Sequence, residues 1–419
     1  MSDVKGHDTS YEWKIILLLS ITFGLVGLDR FILPVILGSP NSTMAGDLGL
    51  TPEDGGALAG YLGMAWGVSA FVMGYMADKL GRRAVLVPAV IVFSLMSVFS
   101  GMAASLTALV IFRVIMGIAE GPVASTGVAV AVEASKPERR GLNNGTFQCM
   151  ISLFGMALGP FIATQLLENY SWHTVFMIVG GPGLVMAVLL WLVVREPSKL
   201  NTAATVGTAQ PAANASFLDM FAHRNAKIAP ITLICAMGGI FVIAAMLTAY
   251  LTAPVGAGLG LDALTAGKVF TAVGLGGCIG QFAMPAISDF IGRKLATILS
   301  YLLAAVALYF FTQTGPESFG TLWTLLFFVS LFNFAALAIL AGPVAAEAAP
   351  PGKLASMAGF VIFAGEFVGG GLAPIIASSI AKGQYGLKGA LYFAATGLVI
   401  GFFVAMFLKE TAPRKVGTV

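Results

Sequence analysis

The chain has 419 residues, of which 58% are hydrophobic and only 10% are charged, and its net charge is +3. Soluble globular proteins carry about 25% charged residues, and the mean hydropathy here is +0.90. This composition excludes a soluble enzyme, a nucleic-acid-binding protein and a disordered chain. It is sufficient instead for roughly a dozen apolar segments of about 20 residues, the length that crosses a bilayer.

Apolar runs follow one another in two sets of six, each run long enough to span a bilayer and poor in charge. A polar stretch separates the sets, and residues 217–221 within it are suited to a short helix at the membrane surface. We therefore predict an all-α membrane protein with an N-terminal bundle at 1–194, a cytoplasmic linker at 195–226 and a C-terminal bundle at 227–419. The predicted spans lie at about 14–37, 56–78, 84–104, 107–133, 141–168, 172–194, 227–253, 266–291, 294–313, 321–347, 354–380 and 388–408.

The positions of lysine and arginine predict the orientation of the spans. If the N-terminus is cytoplasmic, only Lys268, Lys382 and Lys388 of the 23 basic residues lie outside, and Arg30 and Arg113 lie within spans. This distribution follows the positive-inside rule. We therefore expect a multi-pass protein of a bacterial inner membrane with both termini in the cytoplasm. Because the first residues are polar, we expect no cleavable signal peptide.

Cysteine and histidine give no sign of catalytic or metal chemistry. Cys149, Cys235 and Cys278 lie inside apolar runs without a CxxC pair, which is typical of small packing residues rather than of a disulfide frame or a metal site. The sequence contains no HExxH, GxSxG or phosphate-binding GxxxxGK[ST] motif. We therefore expect no enzyme activity, no cofactor and no metal.

The two sets of spans carry matching motifs at a nearly constant offset. The pattern D-x-x-G-R-[RK] begins at Asp78, after span 2, and again at Asp289, after span 8, 211 residues later. Glu133 and Glu347, at the ends of spans 4 and 10, are 214 residues apart, and a glycine–proline motif in spans 5 and 11 repeats at the same offset. These repeats predict two equivalent six-helix bundles with a site at their interface near the bilayer midplane.

The loop after span 2 resembles the signature loop of the major facilitator superfamily. It reads G-x-x-x-D-x-x-G-R-R from Gly74 to Arg83. With twelve spans, a central linker and a partial copy of the loop after span 8, the resemblance covers essentially the whole chain. It implies the major facilitator fold, transport by alternating access and a monomeric protein.

The loop motif predicts a latch that closes the cytoplasmic side. Gly74 permits the close approach of another helix, Asp78 can cap the positive N-terminus of a neighbouring helix, and Arg82 can pair with Glu133. The resemblance implies that the capped helix is span 11, in the other half. The alternative is that these loop charges only set the topology. The residues expected to form a weaker mirror latch are Asp289, Arg293 and Glu347.

Ionisable residues inside spans are costly and mark functional sites. Arg113 and Glu120 are two helical turns apart, so they face the same side of span 4 at a distance of about 10 Å. Adjacent Asp29 and Arg30 in span 1, with R-x6-E in span 4, resemble the anion:cation symporter branch of the superfamily. That branch includes bacterial sugar-acid and aromatic-acid importers, sialin and the vesicular glutamate transporters. The resemblance implies transport of an organic anion, in the bacterial members usually with protons.

An arginine fork suits a carboxylate substrate, and a carboxyl group whose pKa changes with burial and with a nearby arginine suits proton coupling. We expect Arg30 to be the main substrate cation and Arg113 to be a second cation that claims or releases an acid. Asp29 and Glu120 are the expected proton sites. Glu366 in span 11 is a third proton site, a substrate contact or a partner for Arg30. The alternative is a static charge network that only joins spans 1 and 4.

Uncharged polar residues complete the predicted site. Those expected to contact substrate are Tyr61, Gln148 and Asn333, and the other polar candidates are Trp66, Tyr250 and Gln281. Any one of them alone is more often a hydrogen bond between helices than a ligand contact.

Together these features predict a proton-coupled importer of an organic anion. The scarcity of amides for binding hydroxyl groups favours an aromatic or other less polar acid over a sugar acid. The expected partners are the small organic anion, protons and membrane lipid, without nucleic acid. The main alternative is a proton-coupled drug or metabolite exporter, because Gly155, Gly159 and Pro160 resemble part of the antiporter motif. Asp29 and Arg30 argue against a cationic drug, and the repeated latch motif argues against a non-transporting receptor.

Overall fold

The computed structural model describes residues 7–39, 41–50, 52–196 and 221–417. Within these ranges the chain forms twelve helices, α1 to α12, that are long and apolar enough to cross a membrane, and it forms no β-strand. The chain is therefore a multi-pass integral membrane protein. In chain order the helices are Thr9–Gly38, Ala57–Leu80, Arg82–Ser100, Leu106–Ala134, Pro137–Leu167, Trp172–Val193, Arg224–Thr252, Leu264–Ile291, Arg293–Gln313, Phe319–Glu347, Leu354–Lys382 and Gly386–Ala405.

The predicted spans agree with the observed helices to within a few residues, so the predicted all-α fold is confirmed. The largest difference is at α1, which begins five residues before its predicted span. Asp8 caps this helix, because its Oδ1 accepts a hydrogen bond from the Tyr11 amide at 2.9 Å. The buried carboxylate of Glu12 accepts hydrogen bonds from Arg139 and Asn143, each at 2.7 Å. These partners on α5 compensate for the polarity of the first turn.

The predicted linker at 195–226 falls largely outside the described residues. The structure describes residues 195–196 and 221–226, and α7 begins at Arg224, inside the predicted linker. The predicted surface helix at 217–221 lies, except for Phe221, outside the described residues. The boundaries of the two bundles and of the linker stay predictions.

Two bundles of six helices, α1–α6 and α7–α12, meet mainly along two pairs of helices. In one pair α2 packs against α11, and in the other α5 packs against α8. Small residues make the first crossing close. A Cβ added at Gly74 would collide with the carbonyl oxygen of Ala355, and one added at Gly359 would collide with that of Ala70. Such small-residue contacts let helices associate in a membrane, where burial of apolar surface gives no driving force between them.

The outer surface of the protein is apolar. Large hydrophobic side chains such as Phe161, Val185 and Ile375 are more than 60% exposed. Large apolar side chains cover a protein surface in this way where lipid takes the place of water.

We predict that Gly280→Ala destabilises the protein. A Cβ at Gly280 in α8 would collide with the carbonyl oxygen of Leu331 in α10, and overpacking of this kind costs about 1–3 kcal/mol. The melting temperature of the detergent-purified protein should fall. Gly267→Ala is the matched control, since it lies in the same helix and no atom of the described residues lies within 4 Å of its added Cβ. It should hold or raise the melting temperature, because alanine favours a helix over glycine by about 0.5–1 kcal/mol. Equal losses in the two variants would argue against a close crossing of α8 and α10.

Candidate functional site

A cavity of about 110 Å³ lies between the two bundles. Its wall is formed by α1, α2, α4 and α5 from the first half and by α7, α8, α10 and α11 from the second. Most of the wall is apolar, and much of it is aromatic. Phe23 and Phe147 stack there with ring centroids 4.5 Å apart. The polar groups on the wall are Arg30, Trp66, Gln148, Ser152, Gln281 and Glu366.

The acid and the base on this wall form an ion pair between the two halves. Arg30 on α1 donates from both terminal nitrogens to the two carboxylate oxygens of Glu366 on α11, at 3.3 and 3.2 Å. The side chains are 10% and 2% exposed. The guanidinium carbon also lies 4.1 Å from the ring centroid of Trp66 and 5.5 Å from that of Phe241. Two aromatic rings therefore orient Arg30, and one carboxylate binds it in bidentate geometry.

The uncharged polar groups on the wall differ in how far they are already bonded. Gln148 donates to the carbonyl oxygen of Ala338 on α10 at 3.0 Å, and Gln281 accepts from Ser152 at 2.5 Å. Both bonds join the halves across the cavity. Trp66 is buried, but its Nε1 has no hydrogen-bond partner within the described chain. Because a buried N–H without an acceptor is costly, Trp66 offers a donor to a ligand.

Three helices of the wall contain π-helical turns. These turns are Ser152–Leu158 in α5, Leu340–Val344 in α10 and Gly365–Leu372 in α11. Ser152 and Glu366, two of the polar residues on the cavity wall, lie in these turns. A π-helical turn adds a residue to one turn of the helix, and such turns are frequent at functional sites.

A second group of charged residues lies behind the cavity wall, within the first half. Arg113 donates to the backbone carbonyl oxygen of Asp29 at 3.0 Å, and the Asp29 carboxylate accepts from Ser97 at 2.5 Å. Glu120 is fully buried, and neither of its carboxylate oxygens has a hydrogen-bond partner among the described residues. The charges that act on Glu120 include those of Asp29, Arg113, Arg30 and Glu366. Glu120 is therefore linked electrostatically to the ion pair of the cavity, although it does not line the cavity.

Contacts between the halves also close one end of the bundle, the end where α1 begins and α12 finishes, here called the termini end. Asp78 on α2 accepts hydrogen bonds from the amides of Ala355 and Ser356 at 3.2 and 2.7 Å, and from the Ser356 hydroxyl. It thereby caps the N-terminus of α11. Arg82 pairs with Asp78 at 2.5 Å and with Glu133 at 2.7 Å.

The same contacts recur between α8 and α5. Asp289 accepts hydrogen bonds from the amides of Gly141 and Leu142 at 3.0 and 2.9 Å. Arg293 pairs with Asp289 at 2.7 Å and with Glu347 at 2.9 Å. The incomplete motif predicts a weaker latch here, but the caps and ion pairs match those of the first set. The differences are that Asp289 lacks a hydroxyl bond like that of Ser356 and that Arg293 also donates to the Ser288 hydroxyl at 2.6 Å. The motif could not reveal the match, because the capped amides of α5 lie outside it.

Comparison with known proteins identifies the family. A family model described as the Major Facilitator Superfamily matches residues 19–255 and 231–418. The chain belongs to the major facilitator superfamily. It is therefore a transporter and not an enzyme.

The chain is similar to several bacterial transporters. It is 25% identical over 376 residues to a protein of Cupriavidus pinatubonensis named as a probable 4-methylmuconolactone transporter, covering 87% of this chain and 83% of that protein. It is 29% identical over 200 residues to the 4-hydroxybenzoate transporter of Pseudomonas putida, covering 47% and 43%. It is 28% identical over 176 residues to a multidrug export protein of Haemophilus influenzae, covering 42% and 34%. The chain thus matches less than half the length of the last two.

Solved structures share the fold. The crystal structure of the E. coli fucose:proton symporter matches with a TM-score of 0.72 and 15% sequence identity, over 95% of this chain and 99% of that chain. At this identity the likeness shows the major facilitator fold alone.

Two of the predicted substrate residues of this transporter line the cavity, and three do not. Arg30 and Gln148 lie on the wall, whereas Arg113, Tyr61 and Asn333 do not. Arg113 faces the backbone of α1, and Tyr61 is 44% exposed on α2. Asn333 is buried, and its amide, in the orientation that satisfies both of its groups, bonds to the backbone of α7. Substrate contact by these three residues is not seen at this cavity and stays a prediction. Asn333 forms a hydrogen bond between helices, which is the alternative to substrate contact given for it above.

Several residues of the helix caps and of the cavity wall give little or no signal in the sequence. Glu196, after α6, accepts hydrogen bonds from the first two amides of α3 at 2.9 and 3.0 Å. Glu410, after α12, does the same for α9 at 2.8 and 3.2 Å. They are 214 residues apart, the offset of the other repeats, which is the signal that identifies them. Phe23, Phe147 and Phe241 of the wall have no such signal among 30 phenylalanines.

We predict that Asp78→Asn and Asp289→Asn loosen the termini end to a similar extent. Each change removes the charge from hydrogen bonds to two backbone amides of the opposite half, and bonds to charged groups contribute about 1.5–3 kcal/mol each. Hydrogen–deuterium exchange should become faster in the capped turn of α11 and of α5, respectively, while helical content is unchanged.

Asp262→Asn is the control for both variants. Asp262 accepts from the Thr265 amide at 3.0 Å and caps α8 within one half, at the opposite end. It should leave exchange at the termini end unchanged. Faster exchange in Asp78→Asn alone would instead support the weaker mirror latch that the motif predicts.

Proposed function

We propose that this transporter imports an organic anion together with protons by alternating access. The observation that carries the proposal is Arg30, a guanidinium on the cavity wall whose carboxylate partner, Glu366, comes from the other half. Arginine binds carboxylates through two parallel hydrogen bonds. A substrate carboxylate can therefore take the place of the Glu366 carboxylate on the same two nitrogens.

The remainder of the cavity favours an aromatic or similarly apolar acid. Phe23, Phe147 and Trp66 offer ring faces, and the amides of Gln148 and Gln281 already bond within the protein. A sugar acid would leave most of its hydroxyl groups without partners, which is costly in a buried site. The similarity to transporters named for 4-hydroxybenzoate and 4-methylmuconolactone supports the same class of substrate.

Proton coupling follows from competition for Arg30. When the substrate carboxylate binds Arg30, Glu366 loses its cationic partner, and an unpaired buried charge is strongly destabilising. A proton that binds Glu366 removes this cost, so the anion and the proton are carried together. On the other side of the membrane Glu366 releases its proton, pairs with Arg30 again and displaces the substrate.

Glu120 and Asp29 are proposed as further proton sites. A charged Glu120 carboxylate would be buried without a hydrogen-bond donor from the described residues, which a neutral carboxylic acid tolerates better. Asp29 likewise keeps one carboxylate oxygen unbonded. We propose that Arg113 is a positioning residue, which joins α4 to α1 through the carbonyl oxygen of Asp29.

We further propose that the termini end faces the cytoplasm and that the structure is closed on that side. The caps at Asp78 and Asp289 hold this end, and the distribution of lysine and arginine supports the orientation. Opening towards the cytoplasm breaks both caps. The proposed protein is a monomer in a bacterial inner membrane, with bundles at 1–194 and 227–419 joined by residues 195–226.

A proton-coupled drug or metabolite exporter is the second candidate function. Similarity to a multidrug export protein over 176 residues favours it. A cationic drug would have to approach Glu366 while the charge of Arg30 lies beside it. Ligand binding distinguishes the two candidates.

We predict that aromatic carboxylates bind and that Arg30→Ala abolishes binding. A ligand that binds only the folded state stabilises it by RT ln(1 + [L]/Kd), about 2.7 kcal/mol at a concentration of 100 Kd. Thermal unfolding in detergent should show a higher melting temperature with 4-hydroxybenzoate and benzoate, but not with gluconate, xylose or ethidium. Arg30→Lys should keep part of the shift, because lysine retains the charge but not the fork.

Arg224→Ala is the control for loss of an arginine. Arg224 lies at the start of α7, where its guanidinium carbon is 6.0 Å from the ring centroid of Phe407, away from the cavity. It should keep the full shift. If ethidium alone raises the melting temperature and Arg30→Ala keeps that shift, the exporter is the better assignment.

We predict that Glu366→Gln separates substrate movement from the proton gradient. The amide cannot take up a proton in exchange for the substrate, so in proteoliposomes a pH gradient should no longer drive accumulation of 4-hydroxybenzoate. Exchange of labelled for unlabelled substrate should persist, because Arg30 is intact. Glu317→Gln, in an exposed loop, is the control and should accumulate substrate normally.

Glu120→Gln tests the second proton site in the same assay. Loss of accumulation with retained exchange is again expected. Normal gradient-driven accumulation in Glu366→Gln would remove that residue from the coupling mechanism, whatever Glu120→Gln does.

A further inference from the structure

Two cysteines from opposite halves meet where α5 crosses α8. Cys149 on α5 is buried, and Cys278 on α8 is half-buried. Both are free thiols, and their side chains lie beside each other at this crossing. Cys235 lies on α7 and is not part of this pair. The pair has no part in the proposed chemistry of the cavity.

The backbones of α5 and α8 are close on both sides of the thiols. A Cβ added at Gly145 would lie 2.8 Å from a carbonyl oxygen of α8, and one added at Gly274 would lie 3.0 Å from a carbonyl oxygen of α5. Cys149 follows Gly145 by one turn, and Cys278 follows Gly274 by one turn. A disulfide needs Cα atoms about 4.4–6.8 Å apart, and a crossing of this closeness brings two helices into that range.

The thiols lie at the level of the cavity, since Cys278 comes one turn before Gln281, which lines it. Cys149 follows Gln148, which lines the cavity, and lies two turns after Gly141, whose amide Asp289 caps. When the termini end opens, α5 and α8 separate at the cap. A covalent bond between the two thiols would resist this separation.

We propose that Cys149 and Cys278 form an oxidation site whose disulfide locks the two halves together. Hydrogen peroxide oxidises one thiol to a sulfenic acid and is itself reduced to water. The second thiol then attacks the sulfenic sulfur, the S–S bond forms, and the hydroxyl group leaves with the thiol proton as a second water. The lock rests on the proposed function, because a disulfide between the halves arrests only a protein that must separate them in order to transport.

The test counts free thiols and measures transport on the same sample. The protein in liposomes is treated with hydrogen peroxide, unfolded and labelled with N-ethylmaleimide, and its intact mass is measured. The chain has 3 cysteines, so the reduced protein takes up three labels and the disulfide form takes up one. Peptide mapping should link Cys149 to Cys278. Uptake of 4-hydroxybenzoate should be lost on oxidation and restored by dithiothreitol.

Serine variants show which thiols are responsible. Cys149→Ser and Cys278→Ser should each keep their uptake after oxidation, whereas Cys235→Ser should be inhibited like the unaltered protein. Three labels after oxidation, or a linked peptide that contains Cys235, would overturn the pairing. One label with undiminished uptake would overturn the lock. If the untreated protein takes up no organic acid, the proposed transport function fails, and the label count alone still supports or overturns the disulfide.

Discussion

The cost of placing charge in a bilayer determines where this protein can be held together. An unpaired charge in such an interior costs several kcal/mol, so a buried charge needs a partner. Arg30 finds its partner, Glu366, in the opposite half, and Asp78 and Asp289 each reach backbone amides of the opposite half. These bonds exist only in one relative position of the two bundles. Bonds of this kind favour two discrete arrangements of the bundles over a continuous range of intermediate positions. A conformational switch requires such discrete arrangements.

The contacts at the termini end are reciprocal. α2 caps α11 and α8 caps α5. Each half therefore supplies one capping aspartate and has one helix capped by the other half. The closing interaction is therefore balanced on both sides of the central cavity. The motif glycines make the loops possible, because Gly81 and Gly292 adopt φ values of 101° and 104°, which other residues rarely tolerate. Glu196 and Glu410 then fix the helices that follow by capping their first amides.

Hydropathy predicted the twelve spans because each apolar run is long and the intervening segments are short and polar. The repeated motif likewise placed Asp78, Arg82 and Glu133 near one another. The sequence could not show which mid-span charge faces the cavity. Arg30 and Arg113 are equivalent as isolated arginines, but Arg30 lies on the wall and Arg113 faces the backbone of α1. That difference depends on how each helix is rotated against its neighbours, and π-helical turns such as the one at Gly365–Leu372 alter the rotation without a mark in the hydropathy pattern.

The geometry of the central pair also explains how it can hold the halves and still yield to a substrate. Its hydrogen bonds, at 3.2 and 3.3 Å, are longer than the roughly 2.7–2.9 Å of a strong charge-assisted bond. The rings of Trp66 and Phe241 hold Arg30 independently of its carboxylate partner. In the proposed mechanism the guanidinium therefore stays oriented when Glu366 leaves, and an incoming carboxylate finds a binding site that is already formed. Exchanging one carboxylate for another then requires little reorganisation, whereas leaving Arg30 without either would cost about 3–5 kcal/mol. In the proposed mechanism, this difference makes movement of the halves depend on substrate.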